Sequence, residues 1–232
     1  MSSKQQSPRD LILETLQAKS SLKLKVYKNT LELFDQLKGV LEEVAKDLSS
    51  QMQGIDEEVK VEFRDKGPYE ADLRFGGDVL IFNMHSNVFA FDADHSIWKT
   101  SYVKEDESRM YCGMINIYNF LKDSFKYQRM GDMGYLIGRL FVNRESHYFV
   151  EGKRQLAFLY NDFVNAVLDK EHMRNIIQSA ILYALDFDLL TPPYDDVKVL
   201  TLQEMQEAIN NLNMRTGKRL GFKFQADGDD FV

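Results

Sequence analysis

The 232-residue chain is poor in cysteine and proline and contains no long apolar run. Its single cysteine, Cys112, excludes an internal disulfide and a cysteine-based zinc cluster. No proline lies between Tyr69 and Thr191, and no Pro-, Gly- or Ser-rich linker divides the chain, so we predict one domain. The longest apolar stretch, near residues 135–142, is too short to cross a bilayer, and the N-terminus lacks the apolar core of a signal peptide. These absences predict a soluble, cytoplasmic protein with no membrane partner.

The net charge of -7 disfavours a dedicated DNA-binding domain, because neutralisation of phosphates supplies most of the affinity of such domains. The charge is unevenly distributed, since residues 55–108 are strongly acidic and residues 109–154 are basic. Two interpretations fit this distribution. The two blocks either face different partners or neutralise each other within one fold, and we favour the second.

The N-terminal 54 residues have a helical pattern. Ser7-Pro8-Arg9-Asp10 is typical of a helix start, with a capping serine and proline at the first helical position. A stripe with seven-residue spacing follows, at Leu13, Ser20, Tyr27, Phe34, Leu41 and Leu48. A second set of apolar residues accompanies this stripe, and its spacing from the stripe changes near Asn29-Thr30. We therefore expect a new helix cap there and a helix over about residues 30–53. The stripe suits either a dimeric coiled coil or packing against a sheet, and its polar interruptions favour the sheet.

After Gly54 the apolar pattern alternates, which predicts strands. Gly76-Gly77 is a two-residue hairpin signal, which pairs Phe75 with Asp78 and Leu73 with Leu80. A further turn at Ser86-Asn87 would pair Met84 with Phe89 and Phe82 with Phe91. The resulting meander would have one apolar face and one solvated face. The solvated face would carry Lys60, Asp72, Arg74, Asn83, His85, Asp92 and Asp94.

The remaining pattern completes an α+β fold. Residues 109–120 are apolar at odd and even positions alike, which predicts a central strand covered on both sides. Two further strands follow around the turn 143–146. Helical patterns then return, and Thr201 with Glu204 forms a capping box. We predict a single antiparallel sheet of about seven strands, with one face covered by a long N-terminal helix and C-terminal helices. The expected segments are 1–54 helical, 55–152 sheet, 153–214 helical, with apolar faces at 156–167 and 173–185, and 215–232 a charged tail.

Standard catalytic signatures are missing from the sequence, including phosphate-binding loops, dinucleotide glycine fingerprints and nucleophile elbows. One carboxylate-histidine group is a candidate metal site, because the predicted register brings its members to one end of the second hairpin. Its members are Asp78, Asp92, Asp94 and His95. Oxygen and imidazole ligands suit Mg, Mn or Zn, which would make this site that of a metal-assisted hydrolase. The competing interpretation, which we favour, is an Arg74–Asp94 cross-strand ion pair.

Other reactive side chains offer weaker candidates. His147 and His172 are expected to be surface histidines, and Cys112 lies in an apolar strand where burial makes a thiol inert. The acidic cluster Asp227, Asp229 and Asp230 lacks the length and the terminal glutamate of a calcium loop, so we interpret it as an acidic tail.

The basic block interleaves cations with aromatic residues. Its candidate anion patch is Arg139, Arg144, Lys153 and Arg154. Aromatic and basic side chains on a sheet can bind single-stranded nucleic acid by stacking and charge neutralisation. The same composition also describes any aromatic-rich antiparallel sheet with a solvated face.

Taken together, these observations favour a non-enzymatic module that binds a protein partner or a small ligand. The alternatives are the metal-assisted hydrolase, whose only cofactor would be a divalent metal, and the single-stranded nucleic-acid binder. The pattern leaves the oligomeric state open between a monomer and a homodimer formed by the N-terminal helix.

Overall fold

The computed structural model describes residues 7–153, 155–187 and 193–206. Its centre is one antiparallel sheet in which each strand pairs with the next in chain order. The strands are β1 Val61–Asp65, β2 Glu70–Phe75, β3 Asp78–Met84, β4 Cys112–Leu121, β5 Tyr135–Asn143 and β6 Tyr148–Gly152. The helices are α1 Pro8–Thr15, α2 Ser21–Gln53, α3 Ser101–Glu105, α4 Lys122–Lys126, α5 Gln155–Leu159, α6 Lys170–Leu185 and α7 Tyr194–Val197. The predicted α+β fold is confirmed, with six strands in the described residues instead of about seven.

The N-terminal helix begins where the sequence predicts, because the Ser7 hydroxyl accepts a hydrogen bond from the Asp10 N–H at 3.2 Å. A π-helical turn at Leu16–Ser20 joins α1 to α2, and α2 continues to Gln53. The expected cap at Asn29-Thr30 is therefore wrong. Asn29 lies inside α2, and its Nδ2 donates to the carbonyl of Asn143 at 2.8 Å, which ties the helix to the end of β5.

The first face of the sheet carries the main core. Helices α2 and α6 pack on this face, and the Arg174 guanidinium pairs with Glu43 at 2.6 Å across the two helices. Several large side chains are fully buried between the layers, namely Phe34, Leu37, Leu41, Leu73, Phe82, Ile115, Ile117, Leu140 and Tyr148. The stripe of α2 from Val26 onward thus packs against the sheet, as we favoured.

The β2–β3 hairpin has the predicted register, with Phe75 opposite Asp78 and Leu73 opposite Leu80. The next predicted hairpin is wrong. The chain leaves β3 at Met84 and returns as β4, which places Phe82 opposite Ile117. Phe89 forms only an isolated bridge with Cys112, so the expected strand through Asp94 does not form.

The second face of the sheet is covered, where the sequence predicted a solvated surface. Segment 85–111 folds over this face and contributes to a second apolar cluster of Ile97, Tyr102, Val103, Cys112, Met114, Phe141, Phe149 and Phe163. Asp72 and Arg74 are also buried, and they pair with each other at 3.0 Å. β4 is therefore the predicted central strand, paired on both edges and covered on both sides.

The segment after β6 differs from the prediction in its first part. Only α5 is helical there, and residues 160–166 run beside β6, where Val150 N–H donates to the Tyr160 carbonyl at 2.8 Å. Helix α6 is confirmed, and so is the capping box, because Glu204 N–H donates to Thr201 Oγ1 at 3.1 Å. The tail at 215–232 lies outside the described residues. Among the described ranges, no helix is long and apolar enough to span a bilayer.

Candidate functional site

The structure does not assemble the four predicted metal ligands. Asp78 lies at the start of β3, where it accepts from Asn119 Nδ2 at 3.2 Å. Asp92 and Asp94 are exposed in the connection after Phe89, and His95 Nδ1 accepts from the Ile97 N–H at 3.2 Å. The site depended on the hairpin that does not form. In the described part of the chain, no group of three or more His, Cys, Asp or Glu side chains is arranged to hold a metal ion.

The competing interpretation of this region is also wrong. Arg74 pairs with Asp72 on its own strand and not with Asp94. The Phe125 ring lies 5.4 Å from the Arg74 guanidinium carbon, so α4 covers the charged pair. This burial was not predictable from the residue pattern, because an Asp-x-Arg spacing on a strand is equally typical of a solvated face.

The candidate anion patch is largely neutralised within the chain. Arg139 pairs with Glu151 at 2.5 Å, and Arg144 pairs with Asp106 at 2.5 Å and with Glu145 at 3.2 Å. Lys153 is exposed at the end of β6, and Arg154 lies outside the described residues. A phosphate that bound the two paired arginines would have to displace carboxylates that already satisfy them.

A polar cluster that the sequence did not reveal surrounds Asn143, which is fully buried. Asn143 Oδ1 accepts from the N–H groups of Glu145 and His147, at 2.9 and 3.0 Å. Asn143 Nδ2 donates to the Tyr102 hydroxyl at 3.0 Å, and that hydroxyl donates to Glu145 at 2.6 Å. The Arg109 guanidinium lies over the Tyr102 ring at 4.3 Å. These contacts join segment 100–111 to the β5–β6 turn.

The pKa values in this cluster indicate a structural role. The hydrogen bond from Tyr102 is the main reason that the pKa of Glu145 lies below its usual range. The neighbouring arginines lower this pKa further. Burial raises the pKa of Tyr102 far above its usual range, so its phenol stays protonated. The polar groups of the cluster are hydrogen-bonded or ion-paired to one another.

The remaining reactive side chains are also engaged. The His147 ring stacks on Tyr102 with 4.5 Å between centroids, and its Nδ1 lies 3.1 Å from the Phe163 carbonyl. His172 Nδ1 lies 2.8 Å from Asp169 at the start of α6. Burial raises the pKa of the Cys112 thiol, which is fully enclosed between the sheet and its cover. None of these three side chains is poised for catalysis.

A groove runs between the C-terminal half of α2 and β1, the free edge strand of the sheet. Two adjoining parts of it have volumes of about 460 and 360 Å³. Its lining is mostly polar and charged and includes Ser49, Gln53, Asp56, Lys60 and Glu62. Small-molecule sites are concave and mainly apolar, so this open polar groove is a poor match for one.

The most unusual surface is the N-terminal helix before it reaches the sheet. We call residues 8–25 the exposed helix. No residue of α1 or of the π-helical turn is buried, and the first buried residue is Val26. Large apolar side chains on the exposed helix are nevertheless 52–59% exposed, namely Leu11, Ile12, Leu13, Leu16 and Leu24. The Leu-Ile-Leu run after the helix start was the signal for this surface in the sequence.

The π-helical turn aligns these side chains. In a regular α-helix, Leu24 would be rotated by about 80° from Leu16, because each residue advances about 100°. The wider π-helical turn advances less per residue and removes most of this offset. Ile12, Leu13, Leu16 and Leu24 therefore form one apolar strip along the helix. We call these four residues the apolar strip.

No protein-family model, no curated protein and no solved structure matches the chain.

Proposed function

We propose that this protein is a non-enzymatic protein-binding module whose exposed helix binds an amphipathic helix of a partner protein. The observation that carries the proposal is the apolar strip, because four large side chains are more than half exposed on a helical segment in which no residue is buried. Contiguous apolar surface of this kind is typical of interaction sites. Helix-in-groove and helix-on-helix recognition use anchors at this spacing.

The stability of the helix supports the same conclusion. Residues 8–25 form about five turns that bury no side chain, whereas most helical stability in proteins comes from packing of an amphipathic face. A partner helix that covered Leu13, Leu16 and Leu24 would supply the missing packing. Burial of apolar surface would contribute about 25 cal/mol for each Å² removed from water.

The other candidate functions have less support. The proposed hydrolase residues Asp78, Asp92, Asp94 and His95 do not converge in the described structure. The arginines of the candidate nucleic-acid patch are paired with carboxylates. The groove beside β1 is polar, which does not favour a small apolar ligand. We therefore place the protein-binding module first.

The test is capture of partner proteins from cell extract by the tagged full chain and by two variants. Leu16→Asp places a charge in the apolar strip. Ala18→Asp is the matched control, because Ala18 is exposed two residues further on and therefore points to the opposite side of the helix. We expect the wild type and Ala18→Asp to capture the same proteins in similar amounts. Leu16→Asp should capture about tenfold less of these proteins, or even less. Equal capture by all three proteins would refute the proposal.

A further inference from the structure

We propose that the partner helix is the exposed helix of a second copy of this chain, packed antiparallel about a two-fold axis. This inference rests on the proposed function, because it names the helix that covers the apolar strip. A symmetric pair uses the same surface on both copies, so one strip is sufficient for both sides of the interface.

The charges along the exposed helix select the antiparallel direction. The first half carries Arg9 with the acidic side chains Asp10 and Glu14, so its net charge is -1. The second half carries Lys19, Lys23 and Lys25, so its net charge is +3. A parallel pair would place each lysine beside the same lysine of the other copy, and like charges at such positions are destabilising. An antiparallel pair places the acidic half of one copy beside the basic half of the other.

The length of the exposed helix fixes the register. Residues 8–25 of the two copies overlap over their whole length in only one antiparallel alignment. In this alignment the two-fold axis passes between Leu16 and Gln17. The two copies of Leu16 then meet at the centre of the interface. Residue 13 of each copy lies opposite residue 20 of the other, so that a leucine packs above a serine.

The position of the sheet is compatible with this geometry. The helix first packs on its own sheet at Val26, at the C-terminal end of the exposed helix. In an antiparallel pair, the two sheets therefore lie at opposite ends of a helix pair about 27 Å long, calculated from the rise of 1.5 Å per residue. In a parallel pair, both sheets would lie at the same end of the helix pair and would compete for the same space.

Disulfide cross-linking of the full chain tests the direction and the register. The variants Leu13→Cys, Leu16→Cys and Ser20→Cys each add one thiol to an exposed position. The native Cys112 is fully buried, so the wild type is the control and should not cross-link. Two copies carry tags of different mass, so that mixed and identical pairs are separated on a non-reducing gel.

Mixing Leu13→Cys with Ser20→Cys should give a cross-linked pair at least tenfold more efficiently than either variant alone. In the antiparallel register, two copies of residue 13 lie about 10 Å apart along the helix axis, which is too far for a disulfide. Leu16→Cys should cross-link with itself, because it lies next to the axis. Efficient self-cross-linking of both Leu13→Cys and Ser20→Cys would show a parallel pair and overturn the inference.

Absence of cross-links in all three variants would also overturn the inference. That outcome is separate from a failure of the proposed function. A chain that does not pair with itself, but whose capture of other proteins is abolished by Leu16→Asp, remains a protein-binding module with a different partner. A chain that shows neither behaviour refutes both proposals.

Discussion

Single residues set how closely the helix layer approaches the sheet. α2 crosses β4 at Gly113, where a Cβ atom would lie 2.1 Å from Thr30 Oγ1. Thr30 is buried, and its hydroxyl donates to the Val26 carbonyl at 2.8 Å, so its side chain has no room to move away. The absence of a side chain on Gly113 is therefore a condition for this close approach.

We expect Gly113→Ala to lower the free energy of unfolding by about 1–3 kcal/mol, because the added methyl group overpacks the contact with Thr30. Gly39→Ala is the matched control, since Gly39 is exposed in α2 and has open space around its Cα. The free energy of unfolding of the control should rise by up to about 1 kcal/mol, because alanine has a higher helix propensity than glycine. Urea unfolding measures both changes, and an undiminished stability of Gly113→Ala would show that the contact is looser than described.

The hydroxyl of Tyr102 supports the β5–β6 turn through Glu145 and Asn143. Because the folded state depresses the pKa of Glu145, its contribution to stability is present above the unfolded pKa of about 4.3 and is lost as the pH falls through the folded pKa. We expect Tyr102→Phe to raise the pKa of Glu145 and to cost about 1–3 kcal/mol at neutral pH.

This cost should shrink as the pH falls through the depressed pKa of Glu145 in the wild type, because the carboxyl is then protonated in both proteins. Titration of the Glu145 carboxyl by NMR, with urea unfolding at several pH values, checks both changes. Tyr118→Phe, which removes a hydroxyl outside the cluster, should leave the pKa of Glu145 unaltered. A pKa of Glu145 that does not move in Tyr102→Phe would contradict the assigned cause.

At the scale of elements, the β2–β3 hairpin was predictable because its turn is local. Gly76 has φ of 49°, a conformation that glycine adopts freely, and the two-glycine turn fixes the pairing of Phe75 with Asp78. The hairpin expected at the Ser86-Asn87 turn had no such local determinant. Its alternation fitted a strand equally well, but Phe89 and Phe91 pack instead on the second apolar cluster.

The pattern of β4 contained the information that the hairpin prediction did not use. A strand that is apolar at both parities needs an apolar layer on each face. One layer is α2 with α6, and the other must come from residues elsewhere in the chain. Segment 85–111 supplies it, which makes a further strand from the same residues impossible.

The exposed helix should be dispensable for folding of the rest of the chain. A chain shortened to begin at Ser21 should keep its Tm within about 2 °C, measured below the concentration of self-association, because α1 and the π-helical turn bury nothing. A chain shortened to begin at Leu31 loses the buried Val26 and Thr30, and its Tm should fall by at least about 10 °C. A large loss of Tm in the first chain would show that the exposed helix packs on the domain.

At the scale of the whole molecule, one stripe with seven-residue spacing has two different environments. From Val26 onward it packs on the sheet, and before Val26 it is exposed. The sequence offered both uses, a coiled coil and a packed helix, but periodicity is the same in either case. The choice depends on where the sheet ends relative to the helix, which is a property of tertiary structure. The candidate metal site failed for a similar reason, because its four residues depended on one incorrect pairing.

The most direct test of the account is sedimentation equilibrium of the full chain over about 1–200 μM, a range suited to a short helical interface. Wild type and Ala18→Asp should both show a mass that rises from one chain toward two as the concentration increases. Leu16→Asp should retain the mass of a single chain throughout, with an unchanged circular dichroism spectrum. If the wild type stays monomeric, or if Leu16→Asp dimerises as the wild type does, the apolar strip is not the surface that joins two copies.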